Sequence, residues 1–519
     1  MTLKRLILIV LTIASLIPVV FSLGGSLSQP QVQARLQLYQ TNLVLQASEF
    51  IPESLQQRSP SDLTAARDAL IGSDPYSAAQ EQYQEALQVA QQGRSSLQAQ
   101  LQSLAGSQAD DVPALERQTV PIVEGESTQQ LQQAMTKLQE FINELRLNIG
   151  ILQAQQQEQE AAFSTWNEVN LQPDRPAQSQ TARALIGLWS EPPQILPESE
   201  SLFEQTLTGW FQTRALKQLY QIQEQELAQL RSQEQQLAQR AVVKLALIGG
   251  VPFVGGVIGV GILIVLLVQL FVQKERSLLA ANVNTWETPW NWEVIWQVLI
   301  VGFFFISQIL LPVLFTVLGF SPTGLSLRFK AVYILVSYLL VAVGGLLVLY
   351  LSLKPFFPLP KFWFRFQWMG NWIVWGVGGY LVALPLVVIV SLLNQQIWQG
   401  QGGSNPLLFL ALQAQDRVAL AIFFFTASVA APLFEEMIFR GFLLPSLTRY
   451  LSVWGAIVVS SLVFALAHLS LSEVLPLTVL GIVLAVVYTR SKNLLASILL
   501  HSLWNSGTLI SLFILGSSG

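Results

Sequence analysis

The sequence predicts an all-α fold, a polytopic membrane helical bundle with an N-terminal extracytoplasmic helical domain of coiled-coil-like character. Three observations predict it. Of 519 residues, 52% are hydrophobic and 12% charged, too apolar and too sparsely charged for an ordinary soluble chain. Beyond about Leu245 the apolar residues gather into runs of membrane-spanning length. Between Gln29 and Arg240 the composition turns instead to glutamine, alanine, leucine, serine and glutamate, with apolar residues at alternating steps of four and three. The bulk numbers also exclude some functions. A net charge of −4 without a basic stripe argues against nucleic acid as a partner. The absence of cysteine removes disulfides, thiolate metal sites and a cysteine nucleophile.

At the N-terminus, Lys4 and Arg5 precede an apolar run from Leu6 to Leu23, so residues 1–28 read as a signal peptide or a membrane anchor. Ser22-Leu23-Gly24 suits cleavage, while the length of the run suits a span. Either way the positive charges stay cytoplasmic and the following segment is exported. In residues 29–240 three seams recur, through Tyr83, Leu87, Ala90 and Leu97; through Leu138, Ile142, Leu145, Ile149 and Leu152; and through Leu216, Tyr220, Leu227, Leu230 and Leu237. Gln223 and Glu234 occupy core positions of the last seam, which favours a loose antiparallel bundle over a long coiled coil. Breaks at Asp74-Pro75, Asp111-Val112-Pro113, Pro173 to Pro176 and Glu191-Pro192-Pro193 divide the helices. A short echo joins Thr64–Gly72 to Thr181–Gly187. Nothing in this domain carries recognisable chemistry, so it reads as a spacer or as a module for an extracytoplasmic protein partner.

Residues 241–400 read as membrane helices and 401–519 as the functional membrane core. Spans are expected over Leu245–Val272, Val294–Leu318, Ala331–Leu353, Trp372–Leu393, Arg417–Met437, Val453–Leu471, Leu475–Tyr488 and Leu494–Leu515, about nine with the N-terminal run. Trp286, Trp290 and Trp292 read as an interfacial belt. Alternating the spans puts Lys354, Lys361, Arg365, Arg440, Arg449, Arg490 and Lys492 inside, while Arg240, Lys244, Arg328 and Lys330 fall near external ends.

Charge is concentrated at one place in these spans, Phe434-Glu-Glu-Met-Ile-Phe-Arg440. An ionisable group at the bilayer centre costs about 2.5–3.5 kcal/mol, so such a group marks a functional site by default. On a helix Glu436 and Arg440 stand four apart with the acid first, the favourable orientation for pairing, which leaves Glu435 without a local partner. The chain's two histidines both lie downstream in apolar segments, His468 one turn after Phe464 and His501 one turn before Asn505. By helical rise, Glu435 lies roughly 15 Å before the turn near Pro445 and His501 roughly 10 Å past the turn near Lys492. His468 is deeper, at roughly 20 Å, so its helix must tilt or start late for the three to converge.

Glu-Glu-x-x-x-Arg, then Phe-x-x-x-His, then His-x-x-x-Asn, each in its own hydrophobic segment, resembles the CAAX-protease and bacteriocin-processing family of intramembrane proteases, also known as the type II CAAX prenyl endopeptidases. The resemblance covers roughly the last hundred residues. It implies an endopeptidase acting on membrane-associated or lipid-modified proteins near the cytoplasmic face, in contact with membrane lipid. It further implies Glu435 as general base assisted by His468, with His501 and Asn505 polarising the carbonyl and oxyanion, and Glu436 and Arg440 as structural support. Glu435, His468 and His501 are also oxygen and nitrogen ligands of the kind zinc accepts. The His-Glu-x-x-His signature is absent, and a metal-free glutamate–water mechanism uses the same residues. Two other readings compete: a noncatalytic scaffold presenting the helical domain, and a proton-relay transporter, against which stands the lack of inverted repeats.

Overall fold

In the computed structural model the described residues are 2–27, 32–50, 71–107, 122–171, 176–223, 227–280, 285–320, 322, 324–398, 400, 402–404, 408, 410–411 and 416–516. The break at Asp111 to Pro113, and most of the Thr64–Gly72 echo and of the Pro173–Pro176 break, lie outside them. All regular elements among the described residues are helical. The chain divides into two compact units, Met1–Val32 with Ile248–Ser517, and Gln33–Leu247.

The Gln33–Leu247 unit is built on the pairing of two long helices, Pro75–Ser107 and Ile122–Gln155, with shorter helices at Gln159–Asn170, Pro176–Trp189, Ser199–Thr206 and Gly209–Ile222. Its core takes the residues of the first two seams, including Tyr83, Ala90, Ile142, Leu145, Ile149 and Leu152, together with Trp166, Phe203 and Trp210. Gly150 lets the Trp166 indole lie against the helix, for a Cβ there would meet the ring at 2.2 Å. The third seam is not continuous. Its helix stops at Ile222 and a separate one runs over Ala228–Leu245, where buried Glu234 accepts from Lys217 Nζ at 3.0 and 2.9 Å. A charge at a heptad core position is thus neutralised by a lysine from the neighbouring helix rather than tolerated in a long coil.

Among the described residues eight helices are long and apolar enough to cross a membrane, so the chain is an integral, multi-pass membrane protein. They include Leu3–Ser26, Trp292–Val317, Leu327–Phe356, Trp372–Trp398, Arg417–Leu447, Leu471–Ser491 and Leu494–Gly516, with the apolar helix Val251–Gln273. The expected ninth span is shorter than its sequence suggested. Val453–Leu466 has 14 residues, about 21 Å of helix at 1.5 Å per residue, less than a bilayer core. The Leu3–Ser26 helix packs on the Trp292–Val317 helix, where Trp296 Nε1 donates to Thr12 Oγ1 at 2.9 Å and Arg5 pairs with Glu293. Val251–Gln273 lies against Trp372–Trp398 through Gly255 and Gly259; a Cβ on Gly259 would meet the Leu381 carbonyl oxygen at 1.9 Å.

Two of the three tryptophans expected in an interfacial belt are core residues. Trp286 stacks on Tyr488 at 5.6 Å and donates to the Phe362 carbonyl, and Trp290, 1% exposed, donates to Ser446 Oγ at 2.9 Å. Both indole N–H groups find partners inside the fold, so burial is not penalised. Among the described residues four π-wound segments interrupt the helices: Ala246–Gly250, Val298–Leu310, Thr426–Ala430 and Met437–Leu443. Each ends two residues before a proline, at Pro252, Pro312, Pro432 and Pro445. Proline has no N–H for the carbonyl four residues back and its ring crowds that carbonyl, so the hydrogen-bond ladder widens just ahead of it.

Candidate active site

Glu435 and Glu436 close a six-residue α stretch, Ala431–Glu436, held between two of the π-wound segments. The two adjacent side chains diverge from there. Glu436 is fully buried, and its Oε1 accepts from Arg440 Nη1 at 2.7 Å, as the four-residue spacing requires. Arg440, equally buried, sends Nη2 to the Gly481 carbonyl at 3.2 Å and lies 4.4 Å over the Phe464 ring. The guanidinium thus meets a carboxylate, a carbonyl and an aromatic face, while its Nε is buried without a hydrogen-bond partner.

His501 enters from the Leu494–Gly516 helix. Asn493 fixes the start of that helix, its Oδ1 accepting from Leu495 N at 3.2 Å and Gln367 N at 3.1 Å. The His501 ring is 2% exposed, with Nδ1 2.9 Å from Glu436 Oε1 and Nε2 3.9 Å from Glu435 Oε2. A carboxylate only accepts, so Nδ1 carries the proton and, in the neutral ring, Nε2 presents its lone pair toward Glu435. Glu435 Oε1 accepts from the Tyr338 hydroxyl at 3.0 Å, and Oε2 is buried without a hydrogen-bond partner.

His468 is not in a helix, as the sequence suggested, but in the turn that follows Leu466. That turn completes with Leu469 in the left-handed region at φ 59°. The Phe464 ring packs on both imidazoles, its centroid 4.9 Å from that of His468 and 5.7 Å from that of His501. His468 Nδ1 donates to the Phe464 carbonyl at 2.9 Å, leaving Nε2 as an acceptor in the neutral ring. Asn505 donates one amide hydrogen to the Ala427 carbonyl at 2.7 Å, within the π-wound segment that precedes Glu435.

The structure thus gathers Glu435, Glu436, Arg440 and His501 in direct contact, with His468 joined through Phe464 and Asn505 one turn beyond His501. Among the described residues no three His, Asp or Glu side chains come close enough to hold a metal ion. Glu435, His468 and His501 are therefore not gathered as one zinc ligand set: His501 Nε2 is 3.9 Å from Glu435 Oε2, while His468 meets the cluster through the Phe464 ring. One residue of the cluster, Tyr338, is absent from the sequence reading, and Phe464, known there only as the start of Phe-x-x-x-His, proves to be the wall common to both imidazoles. Tyr338 lies 97 positions before Glu435 in an apolar helix, and only its place in the bundle reveals it.

Buried carboxylates, two imidazoles and an amide gathered inside a multi-pass helical bundle mark a functional site, because ionisable groups in spanning segments are costly to bury. Comparisons with known proteins point to membrane endopeptidases at the level of family. Residues 417–507 match the family model described as type II CAAX prenyl endopeptidase Rce1-like. Over 195 residues the chain is 27% identical to the membrane-embedded CAAX protease MroQ of Staphylococcus aureus (strain USA300), spanning 36% of this chain and 76% of that protein. Over 142 residues it is 27% identical to the membrane peptidase YdiL of Bacillus subtilis (strain 168), spanning 27% of this chain and 57% of that protein. No solved structure matches the chain.

Proposed function

We propose that the protein is an intramembrane endopeptidase that hydrolyses peptide bonds of membrane-associated, lipid-modified proteins with a water activated by Glu435. The observation that carries this reading is the pair of acceptors left facing each other, Glu435 Oε2 and His501 Nε2, 3.9 Å apart in a buried site. That separation is too long for a direct bond and suits one water oxygen donating to both. Glu435 takes a proton from the water as its oxygen attacks the scissile carbonyl, and returns it to the departing amine. Glu436, held by Arg440, keeps the His501 proton on Nδ1 and so keeps Nε2 available to the water. His468, with its bare Nε2, assists the proton transfers. Asn505 retains a second amide hydrogen to stabilise the oxyanion.

The substrate class and the cytoplasmic sidedness rest on the relatives and on the cations at one end of the bundle. Arg5, Arg365, Arg449, Arg490 and Lys492 belong to segments that meet there: Arg449 donates to the Trp290 carbonyl, and the Arg365 carbonyl accepts from Leu494 N at 2.9 Å. We assign catalysis to residues 401–519, and extracytoplasmic recognition to residues 29–240. The test is cleavage of an isoprenylated peptide with a CaaX C-terminus by the protein in nanodiscs. Glu435→Gln is expected to lower the rate by at least about 10²-fold, the lower bound for loss of a general base. Cleavage at the wild-type rate by that variant overturns the assignment.

A further inference from the structure

We infer that Tyr338, on the Leu327–Phe356 helix and outside the segment matched by the family, is a positioning residue for Glu435, an inference that rests on the hydrolase reading above. A carboxylate has two oxygens, and a base in a defined mechanism needs one tied down so that the other points at the water. Tyr338 supplies the tie: its hydroxyl donates to Oε1 at 3.0 Å while Oε2 has no partner and faces His501 Nε2. Its ring stands edge-on to Phe434, the residue before Glu435, with centroids 6.1 Å apart. Phe434 is itself stacked on Phe303 at 6.0 Å, and Gly345 on the Tyr338 helix brings that helix in so closely that a Cβ there would meet the Phe434 ring at 2.9 Å. Tyr338 and the glutamate helix are therefore set against each other by packing, and the hydroxyl reaches Glu435 without freedom to choose another acceptor.

Charge explains why a phenol suits the task. The cluster already holds two carboxylates against one guanidinium, and Arg440 makes its close bond to Glu436. A second cation at Glu435 would pair both of its oxygens. A neutral donor anchors one oxygen and leaves the other basic. The hydroxyl has no part in bond making, so its loss displaces the base without removing it.

The experiment compares wild type, Tyr338→Phe and Glu435→Gln in nanodiscs by infrared difference spectroscopy and by cleavage of the isoprenylated CaaX peptide. Subtracting the spectrum of Glu435→Gln isolates the Glu435 carboxyl band. Subtracting Tyr338→Phe/Glu435→Gln from Tyr338→Phe isolates the same band without its donor. The expected result is a band at higher frequency in Tyr338→Phe, with kcat lowered about tenfold, the scale of a hydrogen bond to a charged group, and KM changed less than about twofold. An unmoved band overturns the inference, as does an unchanged kcat in a protein that loses activity with Glu435→Gln. If Glu435→Gln itself cleaves at the wild-type rate, the hydrolase reading fails instead, and the band alone then decides the contact.

Discussion

Replacing Arg440 with methionine isolates the energetics of the buried cluster. Arg440 and Glu436 are both 0% exposed and joined at 2.7 Å, so Arg440→Met strands a carboxylate with no counter-ion in the apolar interior. Breaking a buried pair from one side costs about 3–5 kcal/mol, a large share of the roughly 5–15 kcal/mol that holds a domain folded. Methionine preserves most of the arginine stem, so the loss reports charge rather than a cavity. The double variant Glu436→Gln/Arg440→Met removes both charges yet keeps an amide oxygen to accept from His501 Nδ1, now 2.9 Å from Glu436 Oε1. It should recover to within about 1–2 kcal/mol of wild type, because a neutral pair avoids the desolvation that the stranded ion suffers. Thermal unfolding in nanodiscs, followed by tryptophan fluorescence, reads both. The single variant is expected to melt lower by on the order of 10 °C. A single variant that melts with wild type, or a double variant no better than the single, refutes the reasoning.

Gly259→Leu should weaken the packing of Val251–Gln273 on Trp372–Trp398, since the Leu381 carbonyl leaves no room for a side chain; a drop in Tm beyond that of Gly256→Leu, where a Cβ meets nothing within 4 Å, checks it. Gly150→Val should unfold the Gln33–Leu247 unit by driving the Trp166 indole from its seat and from its 3.1 Å bond to the Leu147 carbonyl, read as loss of helical circular dichroism. Burial, with Arg490 nearby, pushes the Lys492 ammonium down to about 7. The Trp286 ring, 3.0 Å from Nζ, favours the ammonium and so opposes that direction without reversing it. A lysine lowered on folding binds fewer protons in the folded state than its unfolded value near 10.4 allows, so stability should rise between about pH 7 and pH 10, and Lys492→Met should flatten that slope. Incubation with a zinc chelator should leave cleavage unchanged, because Glu435, His468 and His501 are not gathered as three ligands; parallel loss of activity and bound metal contradicts this.

Much of the site could be read before any fold was known, for physical reasons that differ by residue. Glu436 and Arg440 are paired by helix periodicity alone, and the cost of charge in lipid singles out Glu435 beside them. His501 was placed by its spacing from the preceding turn. What escaped depends on tertiary geometry. Tyr338 is one aromatic residue in an apolar helix and carries no local signal, and the Phe-x-x-x-His spacing places Phe464 beside His468 without showing that its ring also reaches His501. His468 was assigned to a helix because its flanks are apolar, yet Leu469 takes a left-handed conformation and the helix ends at Leu466. Pro432 and Pro445 are visible in the sequence, Pro445 as the turn that follows Glu435, but neither signals π winding there. Their effect was to open the winding on both sides of Glu435 and Glu436. In the Gln33–Leu247 unit the seams identified the core, while the partner of Glu234 became evident only when Lys217 was seen across from it.

The most direct test of the account is a cycle of cleavage rates in nanodiscs for wild type, Glu435→Gln, His501→Ala and the double variant. Groups that hold one water between them act as a unit, so each single variant should lose nearly all the rate enhancement and the double should be no worse than either. Losses that multiply, or a Glu435→Gln protein that still cuts, would mean that the two side chains do not share the reacting water.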